Sequence, residues 1–347
     1  MGTRKLIRKS GREIILANLS HESPERPGIT FDTGRINDMA LVWACESEGY
    51  VQKRWTEGEV EYYDDRWGNI WKRMKTGPIK GEIHRPILPD WDGLKDFRAP
   101  RYDIDKTADH FRAGFAAEAA KSPDGKYRVA GIGGWIFDNA RYLRKLEVYL
   151  LDLALHPDEL RIVHDRVAVM YESLILSAAK AGADAIHIGE DMGTQTGLLF
   201  SPDMFRSYFK PLYTRLMGMA HENGMKVLLH SCGQNRAILD DLMDCGVDVF
   251  QFDQPTVYDM ADLSELFRRR GAALWSPIDI QKVLPTGNRD YIREETFNMC
   301  RIFDGCLIVK NYPDLPGIGV AEEWDEWGYQ AVLDYCGLGD SSDQAGT

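Results

Sequence analysis

A repeated unit constrains this chain more than any other feature: a helical stretch, a glycine, then a short apolar run ending in polar residues. Helix stops are legible at Ala181-Gly182, Asn223-Gly224, Cys245-Gly246 and Arg270-Gly271, each a glycine just past the last turn. The apolar runs are Tyr127–Phe137, Ala183–Ile188, Lys226–Leu229, Val247–Phe252, Ala272–Trp275 and Cys306–Val309. Between them lie helical segments at Asp158–Ala181, Pro202–Asn223, Arg236–Cys245, Met260–Arg270 and Asp290–Phe303. Strands spaced roughly 20 to 40 residues apart leave room for right-handed crossovers, so the sheet is parallel. The pattern predicts an α/β fold, a single (β/α)8 TIM-type barrel whose active site lies where the strands end. An open doubly wound sheet is the other solution, but no Gly-x-Gly-x-x-Gly opens a helix after a strand. Gly131-Ile-Gly-Gly-Trp135 reads instead as a strand end where backbone approaches closely.

The first 125 residues lack this rhythm. Prolines at 24, 27, 78, 86, 89 and 100 interrupt them, and Trp55, Trp67, Trp71 and Trp91 stud them. We read them as an N-terminal elaboration that lids the barrel, with 126–347 as the main β/α units. Packing is the commoner role for such aromatics. The 347 residues hold 42 Lys+Arg against 54 Asp+Glu, a net charge of −12, which argues against nucleic-acid binding. No apolar run reaches about 18 residues, so no membrane span is expected. The N-terminus is basic without an apolar segment, and the six cysteines form no Cys-x-x-Cys; a reduced cytoplasmic setting is expected.

The strongest chemical signal is Lys226-Val-Leu-Leu-His230-Ser-Cys232-Gly233. Residues i and i+2 of a strand share a face, so His230 and Cys232 converge, and imidazole with thiolate is a natural pair for Zn²⁺. A buried cysteine beside a histidine bonded to backbone is the competing structural reading. A second signal is Gly189-Glu190-Asp191-Met-Gly-Thr-Gln195. Its adjacent carboxylates in a Gly- and Thr-rich loop suit acid–base work or metal ligation. Further polar strand ends carry Asp253, Asp279 with Gln281, and Asn311-Tyr312-Pro313-Asp314. Asp64-Asp65 in the N-terminal part sets acids beside aromatics.

Taken together, Glu190-Asp191-Met-Gly-Thr-Gln195, Phe200-Ser-Pro-Asp-Met-Phe-Arg, His230-Ser-Cys232-Gly233, Gly246-Val-Asp248 and Asp279-Ile-Gln281 resemble the uroporphyrinogen decarboxylase superfamily. The resemblance extends from about Arg12 to Tyr335. It implies a barrel, a homodimer, and a cleft lined by Glu190, Asp191, Gln195, Asp65, Arg35, Asp253, Asp279, Gln281 and Tyr312. In the decarboxylase branch, arginines of an N-terminal motif hold the substrate's carboxylates. Here that segment reads Thr30-Phe31-Asp32-Thr33-Gly34-Arg35-Ile36, which keeps Arg35 and replaces the first arginine by Phe31. Asp65, or its neighbour Asp64, matches the acid that binds pyrrole N–H groups. In the cobalamin-dependent methyltransferase branch, His-x-Cys and a later cysteine bind zinc. His230 and Cys232 match the first two ligands, whereas the third position is occupied by Asn311-Tyr312-Pro313 and Cys306 lies at the strand's start. Glu190 or Asp191 is left to complete the set. The resemblance thus implies a methyltransferase using zinc and a methylcorrinoid carried by a partner protein. Decarboxylation of a porphyrinogen and a non-catalytic ligand-binding barrel remain as alternatives.

Overall fold

The computed structural model describes residues 9–32, 34–76, 81–121 and 125–339. The basic N-terminal stretch and Pro78, used in the sequence reading, lie outside them. Eight parallel strands form one nearly closed (β/α)8 barrel: β1 (Gly28–Thr30), β2 (Met39–Trp43), β7 (Tyr127–Gly133), β8 (Ala185–Gly189), β9 (Lys226–His230), β10 (Val249–Gln251), β11 (Ala273–Ser276) and β12 (Leu307–Lys310). Their order in the sheet is β1-β12-β11-β10-β9-β8-β7-β2. The remaining four strands, β3 (Arg54–Glu57), β4 (Val60–Asp64), β5 (Ile70–Met74) and β6 (Glu82–Arg85), make a separate antiparallel sheet. Among the described residues no helix is long and apolar enough to cross a membrane.

The glycine stops sit where the sequence puts them. Gly182, Gly224, Gly246 and Gly271 all adopt positive φ, the conformation that ends a helix without a Cβ penalty. The N-terminal third departs from its irregular reading, because it supplies both β1 and β2. A three-residue strand and a return with no helix leave no periodic signal. The run Tyr127–Phe137 is also shorter as a strand: β7 ends at Gly133 and helix α3 starts at Ile136.

The chain divides into two compact units, 1–41 with 115–129 and 249–347, and 42–114 with 130–248. In the first, helix α1 (Gly11–Ser20) opens with a capping box between Ser10 and Glu13. It packs so tightly on β1 that a Cβ at Gly28 would lie 2.5 Å from Ile15 Cδ1. Fully buried Asn18 is satisfied on every side: its amide donates to the carbonyls of Ile14 and Arg26, and its oxygen accepts from the Leu307 amide. After β1 the chain turns back at once, with Phe31 donating to the Ile36 carbonyl and Asp38 to that of Ile29. Arg26 grips Asp38 bidentately at 2.6 and 2.8 Å. Strand β1 pairs with β12 in the register Gly28↔Ile308 to Thr30↔Lys310.

The second unit carries α2 (Ile104–Lys121) up to Gly114, then α3 (Ile136–Arg144), α4 (Leu146–Leu155) and α5 (Pro157–Ala181). Beyond β8, Ser201 caps α6 (Pro202–Met204), which runs through a π turn into α7 (Lys210–Glu222). Pro211, which lacks an amide to donate, accounts for the widened turn inside a segment whose sequence reads as one helix. In the antiparallel sheet Tyr63 stacks on Trp71 at 6.1 Å and Trp71 meets Tyr142 edge-on at 4.9 Å, so these aromatics pack.

His164 of α5 is buried and shares a 2.9 Å hydrogen bond with the Tyr149 hydroxyl. Burial depresses its pKa to about 3. An unfolded histidine titrates near 6.5, so between the two values the unfolded chain binds a proton that the folded one refuses. The stabilising effect is complete above about pH 6.5 and is lost as pH falls toward 3. Lowering pH from 7 to 5 should therefore cost the wild type about 2 kcal/mol more than H164Q in urea denaturation. Parallel losses in the two proteins would refute this assignment.

Candidate functional site

The chemistry-bearing ends of β8 and β9 are fixed by strand register. Gly189 pairs with His230, and one residue on, the Glu190 amide donates to the His230 carbonyl at 2.8 Å. Beyond the strands the two loops touch backbone to backbone. A Cβ at Gly233 would lie 2.4 Å from the Gly193 carbonyl, and one at Gly193 would lie 2.7 Å from the Gln234 amide. Gly233 also has φ +81°, so neither position accepts a side chain without moving the loops. Asn235, fully buried, donates from its amide to the Ser231 hydroxyl and the Gly233 carbonyl.

Here Asp191, His230 and Cys232 offer ligand atoms that all lie within 4.8 Å of one another. His230 Nε2 is 3.5 Å from Cys232 Sγ and 3.5 Å from Asp191 Oδ1. The Cys232 amide donates to Asp191 Oδ1 at 3.0 Å, which aims that carboxylate at the other two groups. The side chains of Asp191 and His230 are 30% and 24% exposed, so a small molecule can reach them. A carboxylate oxygen, an imidazole nitrogen and a thiol form a donor set suited to Zn²⁺.

Glu190 points elsewhere. It is completely buried, and its carboxylate accepts the Phe137 and Asp138 amides at 2.9 and 2.7 Å and the Tyr213 hydroxyl. Those amides belong to the first turn of α3, whose own N-cap residue, Trp135, offers no side-chain bond. Glu190 thus caps α3 from a distance. Burial, and then the charge of Asp138, push its carboxyl well above the usual range, opposed by the Tyr213 hydroxyl and the helix amides. Tyr213, Tyr149 and Tyr171 are raised in turn, mainly by burial and then by Glu190. Asp138 accepts the Asp191 amide at 3.3 Å and pairs with Arg141 at 2.7 Å; Arg141 also stands 3.8 Å from Asp191 Oδ2. The sequence reading missed Asp138, Arg141 and Tyr213. Its available signal was an acid and a base three apart in the first turns after β7.

Other residues singled out from sequence have structural partners. Asp65 accepts the Trp67 and Asn69 amides, the Asn69 side chain and the Trp71 indole, so it organises its own loop. Gln195 is exposed in a turn held by Thr194. Within the first unit, Arg35 pairs with Asp325 at 2.7 Å and lies against the Phe31 and Tyr329 rings. Asp279 accepts from Thr256, from the Gln281 amide and from the Lys282 amide, which leaves Gln281 exposed on the turn. Asp253 accepts from Gln251 at 2.6 Å and lies 3.5 Å from Lys310, a residue the sequence reading passed over at the end of an apolar run. Tyr312 lines a cavity of about 670 Å³ together with Arg35 and Asn311. Cys306, preceding β12, is buried, and burial pushes its thiol up to about 11.

Comparisons with known proteins bear on the family and the fold. Over 86 residues the chain is 33% identical to the methylcobamide:CoM methyltransferase MtaA of Methanosarcina barkeri, a match spanning 25% of this chain and 23% of that relative's length. Among solved structures it resembles a methyltransferase from Methanosarcina mazei, with a TM-score of 0.59 and 18% identity over 74% of this chain and 72% of that one; at that identity the likeness concerns the fold. The family model for uroporphyrinogen decarboxylase (URO-D) matches residues 73–312, most of the barrel, and the chain belongs to that family.

Proposed function

We propose that this chain is an enzyme that transfers a methyl group, working with a corrinoid carried by a partner protein and holding zinc through Asp191, His230 and Cys232. The convergence of these three donors at the ends of β8 and β9 is the observation that supports the reading. The donor set fits the metal: three protein ligands of mixed N, S and O type are the pattern of catalytic zinc sites, which keep one position for substrate. When bound, zinc supplies Lewis acidity that lowers the pKa of an acceptor thiol, making a thiolate able to attack a methyl group.

The chain's own residues account for the rest. Cys232 would hold the metal through its sulfur, and its amide donates to Asp191 Oδ1, which orients that carboxylate. Asp138 and Arg141 hold Asp191 from behind, through its amide and its second oxygen. Glu190 anchors the whole assembly and stays out of it. Asp191 takes the place that the later cysteine holds in the family pattern, where this chain has Asn311-Tyr312-Pro313. Porphyrinogen decarboxylation is less well supported, because Arg35 is committed to Asp325 and Asp65 to its own loop. A homodimer and a cytoplasmic setting belong to the same proposal.

Metal analysis tests it directly. Protein purified without chelator should carry about one equivalent of zinc, and C232S and D191N should lose most of it. Zinc-free wild type, or zinc unaffected by C232S, would sink the metal reading. Removing a group that orients a ligand has a smaller effect: D138N should weaken zinc binding about 10- to 100-fold in competition with a chromophoric chelator. An unchanged affinity in D138N would show that Asp191 needs no support from α3.

A further inference from the structure

Val42 and Trp43 end strand β2, and adjacent strand residues point to opposite sides of a sheet. Val42 faces helix α2, where a Cβ at Gly114 would lie 2.5 Å from its Cγ1. Trp43 therefore faces the inner side. There its six-membered ring covers Gly131 of β7, three ring atoms lying within 3.0 Å of where a Cβ would stand. Beyond β7 the indole meets the His187 ring of β8 edge-on at 5.5 Å. His187 and Gly189 share a face of β8, and a Cβ at Gly189 would lie 3.8 Å from His230 Cδ2. The indole thus stands on the side of the sheet that carries His230, about 7 Å along the strand from the proposed metal ligands. Its backbone is pinned: the Trp43 carbonyl accepts from His110 at 3.0 Å, and the Ala44 amide donates to the Gly131 carbonyl at 2.8 Å. Yet Trp43 is 52% exposed. On an outer helix that would mean little, but here it leaves an open aromatic face beside a cluster of metal-ligating groups.

Resting on the transferase reading, we propose that the open face of Trp43 holds the body of the methyl acceptor, and that the acceptor is a neutral thiol carrying an aromatic ring. One face of the indole is spent on Gly131, so the opposite face is the one left for a ligand. Aromatic rings pair well in offset-stacked or edge-on contact, and an indole offers the largest such surface of any side chain. Two or three carbons between sulfur and ring span the distance from the metal ligands to the indole. A net charge of −12 disfavours an anionic body. The methyl group comes from the partner's corrinoid, so the thiol carries none of its own. Gly131 is the second requirement, because any side chain there would lift the indole off its seat.

The test titrates 2-phenylethanethiol, ethanethiol and 3-mercaptopropionate against the full-length protein, as purified, by saturation-transfer NMR. Wild type should bind 2-phenylethanethiol at least about tenfold more tightly than either other thiol. W43A should bring it level with ethanethiol. W43F should keep most of the preference, which guards against a W43A that has merely lost its fold. The alcohol 2-phenylethanol reads the indole without the metal: it should bind wild type and lose at least about tenfold in W43A. A ring preference absent from wild type, a preference retained in W43A, or tighter binding of 3-mercaptopropionate would overturn the proposal. Zinc measured on the same preparations judges the other reading by itself. Both phenyl compounds bound through Trp43 in a wild type that carries no zinc would leave the indole site standing and remove the metal.

Discussion

The site depends on one buried carboxylate. Glu190 accepts two amides of α3 and the Tyr213 hydroxyl of α7, while its own amide and carbonyl bond to the His230 carbonyl and the Ser231 hydroxyl. Five groups from three elements are therefore referred to a single residue. Without it, the first turn of α3 would present two unsatisfied donors to a protein interior, at a cost in free energy. With it, the main chain on either side of the β8 and β9 ends is set, and the next residue along each strand lands where its side chain is useful. Adjacent acids thus sit in different surroundings: Glu190 is enclosed, with its carboxyl pushed well above the usual range by burial, whereas Asp191 is partly exposed beside His230 and Cys232.

The recurring glycines were readable because they follow a local rule. A glycine that ends a helix needs only its own φ. Cys232 lies two residues past His230, where β9 has already ended, so it meets His230 through the loop held by Asp191 rather than through a shared strand face. The choice between Glu190 and Asp191 was not readable. Adjacent residues leave a strand in opposite directions, and only the position of α3 decides which one meets an amide pair. Arg35 shows the same limit. Its residue type fits carboxylate binding, but the partner that occupies it, Asp325, lies 290 residues further along. Asp65 was read as facing a pyrrole N–H, and it does accept an aromatic N–H, that of Trp71 in its own loop. Strands β1 and β2 escaped notice because three- and five-residue runs without a following helix carry no period.

Family membership and reaction are legible at different levels. The barrel and the order of its motifs place the chain in the URO-D family. Chemistry depends on the polar groups at the strand ends, and Glu190, Asp65 and Asp279 are bonded within caps and loops. Asp191, His230 and Cys232 stand apart because they face one another with part of their surface open.

The return of the chain after β1 also has a bearing on how the molecule is made. Strand β1 finds its hydrogen-bonded neighbour in β12, so Thr30 must wait for Lys310. Asn18 in α1 likewise waits for Leu307, and Arg35 for Asp325. During synthesis α1 and β1 are made well before β12, so apolar Ile14, Ile15 and Ile29 stay without these partners until β12 appears. Closure of this unit therefore follows the making of β12 and of the segment that carries Asp325. A truncation that removed β12 would leave the first forty residues without these partners, rather than merely trim an edge.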